Sequence, residues 1–83
     1  MGMTPEGKVK KALDTMLKGI PGLWFFPPQA GPFGSAGVPD RVVCYKGLFI
    51  GIEAKADETK KMTDLQEHCR RQILAAGGKF ALV

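Results

Sequence analysis

The sequence predicts a small mixed α/β domain, with elements in the order αβββαβ and a mixed sheet flanked by helices. Three observations carry this. Apolar residues recur at helical spacing near the start of the chain and again in its last third. Between them lie three strand-like runs, two of which are split by a two-residue turn ending in Gly. The third run, the second helix and a final strand then follow one another, and strands joined by a crossover helix in one sheet run parallel with a right-handed connection. At 83 residues the chain holds one domain, spanning residues 1–83.

The first helix opens at Thr4-Pro5-Glu6, where Thr4 caps and Pro5 takes the first helical position, which needs no N–H. Val9, Leu13, Met16 and Leu17 form its apolar stripe, with Lys8, Lys10, Lys11 and Lys18 largely off it. Gly19 is expected to end the helix as a left-handed cap, ahead of Pro21. Glu6 lies one turn before Val9, so it faces inward or stands at the rim of the core. Leu23–Phe26 reads as a short buried strand bounded by Gly22 and Pro27, and a loop rich in Pro and Gly runs on to Pro39.

Arg41–Tyr45 and Leu48–Glu53 read as a hairpin around Lys46-Gly47. Phe49-Ile50-Gly51-Ile52 is apolar on both faces, as a central strand covered on both sides would be, with Glu53 and Lys55 placed where it emerges from cover. A polar loop over Ala56–Met62 precedes Thr63-Asp64-Leu65-Gln66, which matches a capping box. Leu65, Cys69, Ile73 and Ala76 supply the second helical stripe, Gly77-Gly78 ends it, and Phe80–Val83 is the last strand.

An apolar content of 45% excludes a disordered tail, and the longest apolar run, Leu23–Phe26, is far short of the ~20 residues a membrane span needs. The amino end has no basic-then-apolar opening, so no secretory signal is expected. Lys and Arg number 12 against 8 Asp and Glu, an excess that suits a polyanionic partner and equally suits solubility alone. Cys44 and Cys69 read as buried, reduced thiols, and with His68 the single histidine no Cys/His zinc site can form in one chain.

The hairpin makes the chemistry specific. With Lys46-Gly47 as the turn, Tyr45 faces Leu48 and, counting outward, Asp40 faces Glu53. Opposed residues project from one face with β-carbons about 5 Å apart, so the two carboxylates repel unless a cation lies between them. Lys55 projects from that face as well. A hard divalent ion with oxygen ligands fits the gap. The competing reading is an ordinary charged cluster at an exposed strand end.

Gly37-Val38-Pro39-Asp40, then Glu53-Ala54-Lys55, then Gln66, with Glu6 in the first helix, resemble the PD-(D/E)xK nucleases. More narrowly, they resemble the virus-type replication-repair nuclease (VRR-NUC) domain, over nearly the whole chain from Glu6 to Val83. The resemblance implies a restriction-endonuclease-like core and a Mg²⁺- or Mn²⁺-dependent endonuclease acting on DNA. It implies a phage or bacterial repair or recombination setting, in the host cytoplasm. It also implies Asp40, Glu53 and the Ala54 carbonyl as metal ligands, Glu6 completing the shell directly or through water, and Lys55 as the residue orienting the attacking water. Stand-alone members resemble junction resolvases, so a homodimer acting on branched or four-way DNA is expected. The Pro-Pro-Gln and Gly-Pro-Phe-Gly stretches before Gly37 depart from the family pattern, and the chain ends at the last strand with no recognition module expected beyond it.

Gln66 answers equally to a capping box and to a place in the site. Lys60, Lys61, Arg70 and Arg71 are candidate phosphate contacts, each alternatively part of a solvated face. His68 is expected on a helix surface, and Trp24, Phe25 and Phe26 in the core or a subunit interface. The rival to an enzyme is a non-catalytic nucleic-acid-binding or assembly module of the same fold.

Overall fold

The structure, a computed structural model, describes residues 4–29, 37–55 and 61–83. Lys60, the centre of the Pro/Gly loop and most of the polar loop after Lys55 lie outside the described residues. Helix α1 (Pro5–Lys18) is followed by strands β1 (Leu23–Phe26), β2 (Arg41–Tyr45) and β3 (Leu48–Glu53). Helix α2 (Asp64–Ala75) and strand β4 (Lys79–Leu82) complete the order αβββαβ. One sheet in the order β1-β2-β3-β4 is antiparallel except for the β3–β4 pair, which is parallel.

The local rules operate as the sequence predicts at the start of α1 and at the hairpin. The Thr4 hydroxyl accepts from the Gly7 N–H at 3.0 Å, and Pro5 takes the first helical position. Lys46 and Gly47 both take positive φ, 51° and 81°, the primed turn whose twist matches a two-residue hairpin. Tyr45 pairs with Leu48 and Arg41 with Ile52, the register that sets Asp40 beside Glu53.

The two faces of the sheet are covered differently. Leu13 and Leu17 of α1 are buried against Val43 and Ile52, with Leu23, Phe25 and Ile50 packed around them. Helix α2 lies on the other face, and none of its residues is buried. Gly51 makes its approach possible. A Cβ there would stand 2.8 Å from the Pro39 ring and 3.2 Å from Ile73 Cδ1, so only hydrogen lets helix, proline and strand meet.

Several expectations are corrected by this layering. Gly19 caps α1 in the right-handed region (φ −82°); its N–H donates to the Met16 carbonyl and the Ile20 N–H to that of Leu17, and the left-handed turn falls to Gly22. Met16 and Leu65 belong to the apolar stripes by spacing yet are exposed, because each stripe is wider than the surface it meets. β1 is an edge strand that alternates, so Phe25 turns to the core while Trp24, 60% exposed, and Phe26 turn away from it, rings 5.3 Å apart. Cys44 is exposed and Cys69 half-buried, both as free thiols, since Cys44 shares the face of Trp24. The largest correction concerns β3. Its beginning, Leu48 and Phe49, is exposed, whereas Gly51, Ile52 and Glu53 are buried. The strand is covered at its polar end.

Candidate functional site

That polar end is where the two helix layers converge. Lys55 N–H donates to the Val83 carbonyl (2.8 Å) and Val83 N–H to the Glu53 carbonyl (2.9 Å), so pairing with the last strand continues past the acid. Glu53-Ala54-Lys55 is thereby held in extended backbone, with Glu53 and Lys55 on one face and the fully buried Ala54 side chain on the other.

Asp40 arrives from the opposite strand by way of Gly37-Val38-Pro39. Gly37 has φ 81°, and a Cβ on it would stand 2.6 Å from the Leu65 carbonyl carbon and oxygen. The glycine therefore does two things, turning the chain and letting it lie on the first turn of α2. The Ala54 N–H then donates to Asp40 Oδ2 at 2.8 Å, tying the carboxylate to the facing strand. Arg41 anchors the same point from below. Its Nη1 donates to the Asp40 carbonyl (2.6 Å), and its Nε and Nη2 donate to the two Asp14 oxygens at 2.6 and 2.9 Å. This forked pair binds α1 to β2 and holds the Asp14 carboxyl below the usual aspartate range through the Arg41 hydrogen bonds.

Glu53 is 3% exposed, an acid in the interior rather than at a strand end. Its Oε1 accepts from Gln66 Nε2 at 2.9 Å, while Oε2 is buried with no hydrogen-bond partner among the described residues. Loss of water raises its pKa to about 7, helped by the neighbouring Asp40 carboxylate with which it can share a proton; Lys55 acts in the opposite direction and is outweighed.

Gln66 is a helix cap and also touches Glu53 and Lys55. Its Oε1 accepts from the Thr63 N–H (2.8 Å) and its N–H donates to Thr63 Oγ1 (3.2 Å), a complete capping box. The same oxygen accepts from Lys55 Nζ at 3.1 Å while the amide nitrogen holds Glu53. One side chain thus caps α2 and spaces the lysine from the acid.

Glu6 stands at the rim, 45% exposed, with Lys10 Nζ 3.7 Å from its Oε2. Lys10 also reaches Asp40 Oδ1, at 3.4 Å. Sequence reasoning passed over Lys10, Asp14 and Arg41. A signal was present: Glu6, Lys10 and Asp14 recur every four residues, an alternating row that pairs in order with Asp40 and Arg41. Of the expected phosphate contacts, Lys61 and Arg71 are exposed, and Arg70 lies one turn along α2 from Gln66 with its guanidinium 3.7 Å from Glu67.

Among the described residues no three His, Cys, Asp or Glu side chains cluster as metal ligands. A cation here would rest on the two carboxylates of Asp40 and Glu53 and on backbone and water oxygens. The donor set suits a hard dication, and Glu53 Oε2, without a hydrogen-bond partner among the described residues, is the atom open to one. No described helix is long and apolar enough to cross a membrane.

The sequence matches no family model, and no curated protein matches it. A solved structure described as a VRR_NUC domain superposes with a TM-score of 0.81 at 23% identity, covering 98% of this chain and 85% of its own. The resemblance carried by the Gly37–Asp40, Glu53–Lys55 and Gln66 motifs thus meets an agreement in three dimensions, and this chain shares the fold of that VRR_NUC domain.

Proposed function

We propose that the protein is a divalent-metal-dependent endonuclease that hydrolyses phosphodiester bonds in DNA. The observation that carries this is the Asp40–Glu53 pair, in which Glu53 is buried with one oxygen lacking a hydrogen-bond partner among the described residues, and Lys55 is held beside it by Gln66. A buried carboxylate with an unpaired oxygen destabilises the fold, and such a feature persists where a bound cation relieves it.

Asp40 and Glu53 would hold Mg²⁺ or Mn²⁺ with the Ala54 carbonyl, and Glu6 would join through water from its place at the rim. The ion supplies a polarised phosphate and a bound water of lowered pKa. The chain's own residues do the rest. The Ala54 N–H fixes Asp40 Oδ2, so the carboxylate keeps one orientation. Lys55 orients the attacking water and offsets charge that builds on the phosphorus, and Gln66 keeps its ammonium aimed.

Lys60, Lys61, Arg70 and Arg71 would meet backbone phosphates, and so compact a chain offers little surface for reading bases. Shape then selects the substrate, which favours branched DNA such as a four-way junction. Resolving a junction takes two cuts, and a two-fold homodimer supplies two opposed sites. The exposed Trp24–Phe26 pair and the small set of buried apolar residues support association.

Cleavage of plain, single-stranded, flap and four-way substrates with and without Mn²⁺ tests the reading. Metal-dependent cutting that is lost in Lys55→Ala while Mn²⁺ still binds is the expected result. DNA binding without cutting in any metal would leave the non-catalytic module standing instead. Linear duplex cut as readily as a junction would remove the branched substrate, and a 9.0 kDa species at all micromolar concentrations in sedimentation would remove the dimer.

A further inference from the structure

Lys10 has no part in the chemistry proposed above, yet it makes a direct contact with the acid pair. Asp40 Oδ2 is committed to the Ala54 N–H; the other oxygen, Oδ1, is the one left for a ligand, and Lys10 Nζ stands 3.4 Å from it. On the far side Lys55 is kept on Gln66 Oε1, so the two lysines approach the carboxylates from opposite helix layers in different ways. Lys10 touches the acid. Lys55 is spaced from it by an amide.

Lys10 is also built to move. Its side chain is about one-third exposed, on a flexible four-carbon stem, and it has a second acceptor in Glu6 Oε2 at 3.7 Å, one helical turn back and nearer to solvent. An ammonium and a dication cannot both occupy the Oδ1 side of Asp40, because at such separations like charges repel strongly even with protein screening.

We propose that Lys10 is a displaceable counter-ion of the Asp40 carboxylate, which a divalent metal must drive back onto Glu6 in order to bind, so that Lys10 weakens and thereby sets the metal affinity of this site. The inference rests on the metal-binding reading of Asp40 and Glu53 given above. Its physical content is a competition. In metal-free protein Lys10 offsets part of the acid pair's repulsion, and on metal binding that ion pair is lost.

The test is calorimetric titration of the full chain with MnCl₂ without DNA, alongside thermal melting in EDTA and in Mn²⁺. Lys10→Met should bind Mn²⁺ about fivefold more tightly than wild type, the equilibrium factor carried by a partly exposed ion pair. The same variant should melt lower than wild type in EDTA and gain more from Mn²⁺, since Asp40 has lost its cation and the metal alone restores one. Lys10→Arg keeps the charge and should bind as weakly as wild type, and Lys10→Gln, neutral but polar, should bind as tightly as Lys10→Met, which preserves the test if Lys10→Met fails to fold. Lys11→Met, at an exposed neighbouring position, measures the effect of net charge alone and should leave affinity within twofold of wild type. Unchanged or weaker binding in Lys10→Met, tighter binding in Lys10→Arg, or an equal gain in Lys11→Met would each overturn the counter-ion role. Wild type that takes up no Mn²⁺ at all would overturn the metal site itself, a failure distinct from the other three.

Discussion

The two helices meet the sheet on opposite faces, and they are attached by different physics. Helix α1 buries Leu13 and Leu17 against Val43 and Ile52 and adds the forked Asp14–Arg41 pair. Helix α2 buries none of its residues; it is placed by a capping box, by Ile73 over Gly51, and by the Gln66 amide between Lys55 and Glu53. Apolar burial holds α1 whatever the state of the site, whereas the polar contacts of α2 are contacts to the site. The helix that supplies the apolar core is therefore distinct from the helix that holds Gln66 against Lys55 and Glu53, and the acid pair lies at their junction.

The largest effect is expected at that junction. Glu53→Gln keeps an oxygen for the Gln66 amide and removes the charge that a cation would neutralise. Cleavage should fall by roughly a thousandfold, the scale of losing an essential electrostatic group, while the metal-free protein melts no lower than wild type. A variant that cuts at the wild-type rate would sink the site, and one that unfolds would move Glu53 from function to structure.

Next in size is the core of the α1 layer. Leu13→Ala should cost about 3 kcal/mol in urea unfolding, against about 1 kcal/mol for the half-buried Ile73→Ala on α2. Equal costs would erase the distinction between the helices.

pH reads the same contrast through two acids. Glu53 titrates near 7 in the fold against 4.5 for an ordinary glutamate, so the fold binds its proton more tightly than the unfolded chain does. Its contribution is fully present below about pH 4.5 and is lost as pH rises through about 7, a decline on the order of 3 kcal/mol without metal. Asp14 acts with the opposite sign: lowered by Arg41, its contribution is present above the ordinary aspartate range and lost as pH falls through its folded pKa. Metal-free stability should therefore fall between pH 5 and 7.5 in wild type and stay flat there in Glu53→Gln. Urea midpoints across that range in EDTA decide it, and a wild-type midpoint that rises with pH would contradict the burial of Glu53.

The smallest expected effect separates the two uses of Gln66. Thr63→Ala removes the cap and should cost about 1 kcal/mol with cleavage little changed. Gln66→Ala removes the cap and frees Lys55, so it should cost a similar amount while cleavage drops roughly tenfold. Equal activity in the two variants would reduce Gln66 to a helix cap.

Short-range chemistry is legible in the chain wherever a residue's role depends on its near neighbours. Thr4-Pro5 starts α1, Thr63 with Gln66 starts α2, and Lys46-Gly47 turns the hairpin. The pleat then carries that turn outward to set Asp40 beside Glu53, a long-range pairing readable because side chains alternate at a fixed period of two. Burial does not follow from such counting. Glu53 was expected where β3 leaves cover and is instead deep inside, because the depth of a strand position depends on which helix lies above it and how far the last strand extends. Lys10, Asp14 and Arg41 are not legible as site residues for a related reason. A charged row on a helix is by itself a solvated face, and it becomes part of a site only when the helix is docked in the one rotation that brings Lys10 to Asp40 and Asp14 to Arg41. Local propensity and strand period act within a few residues and survive in the chain as spelling. Docking angle and desolvation are properties of the packed layers, and these decided which acid is buried, which lysine reaches it and which is held away.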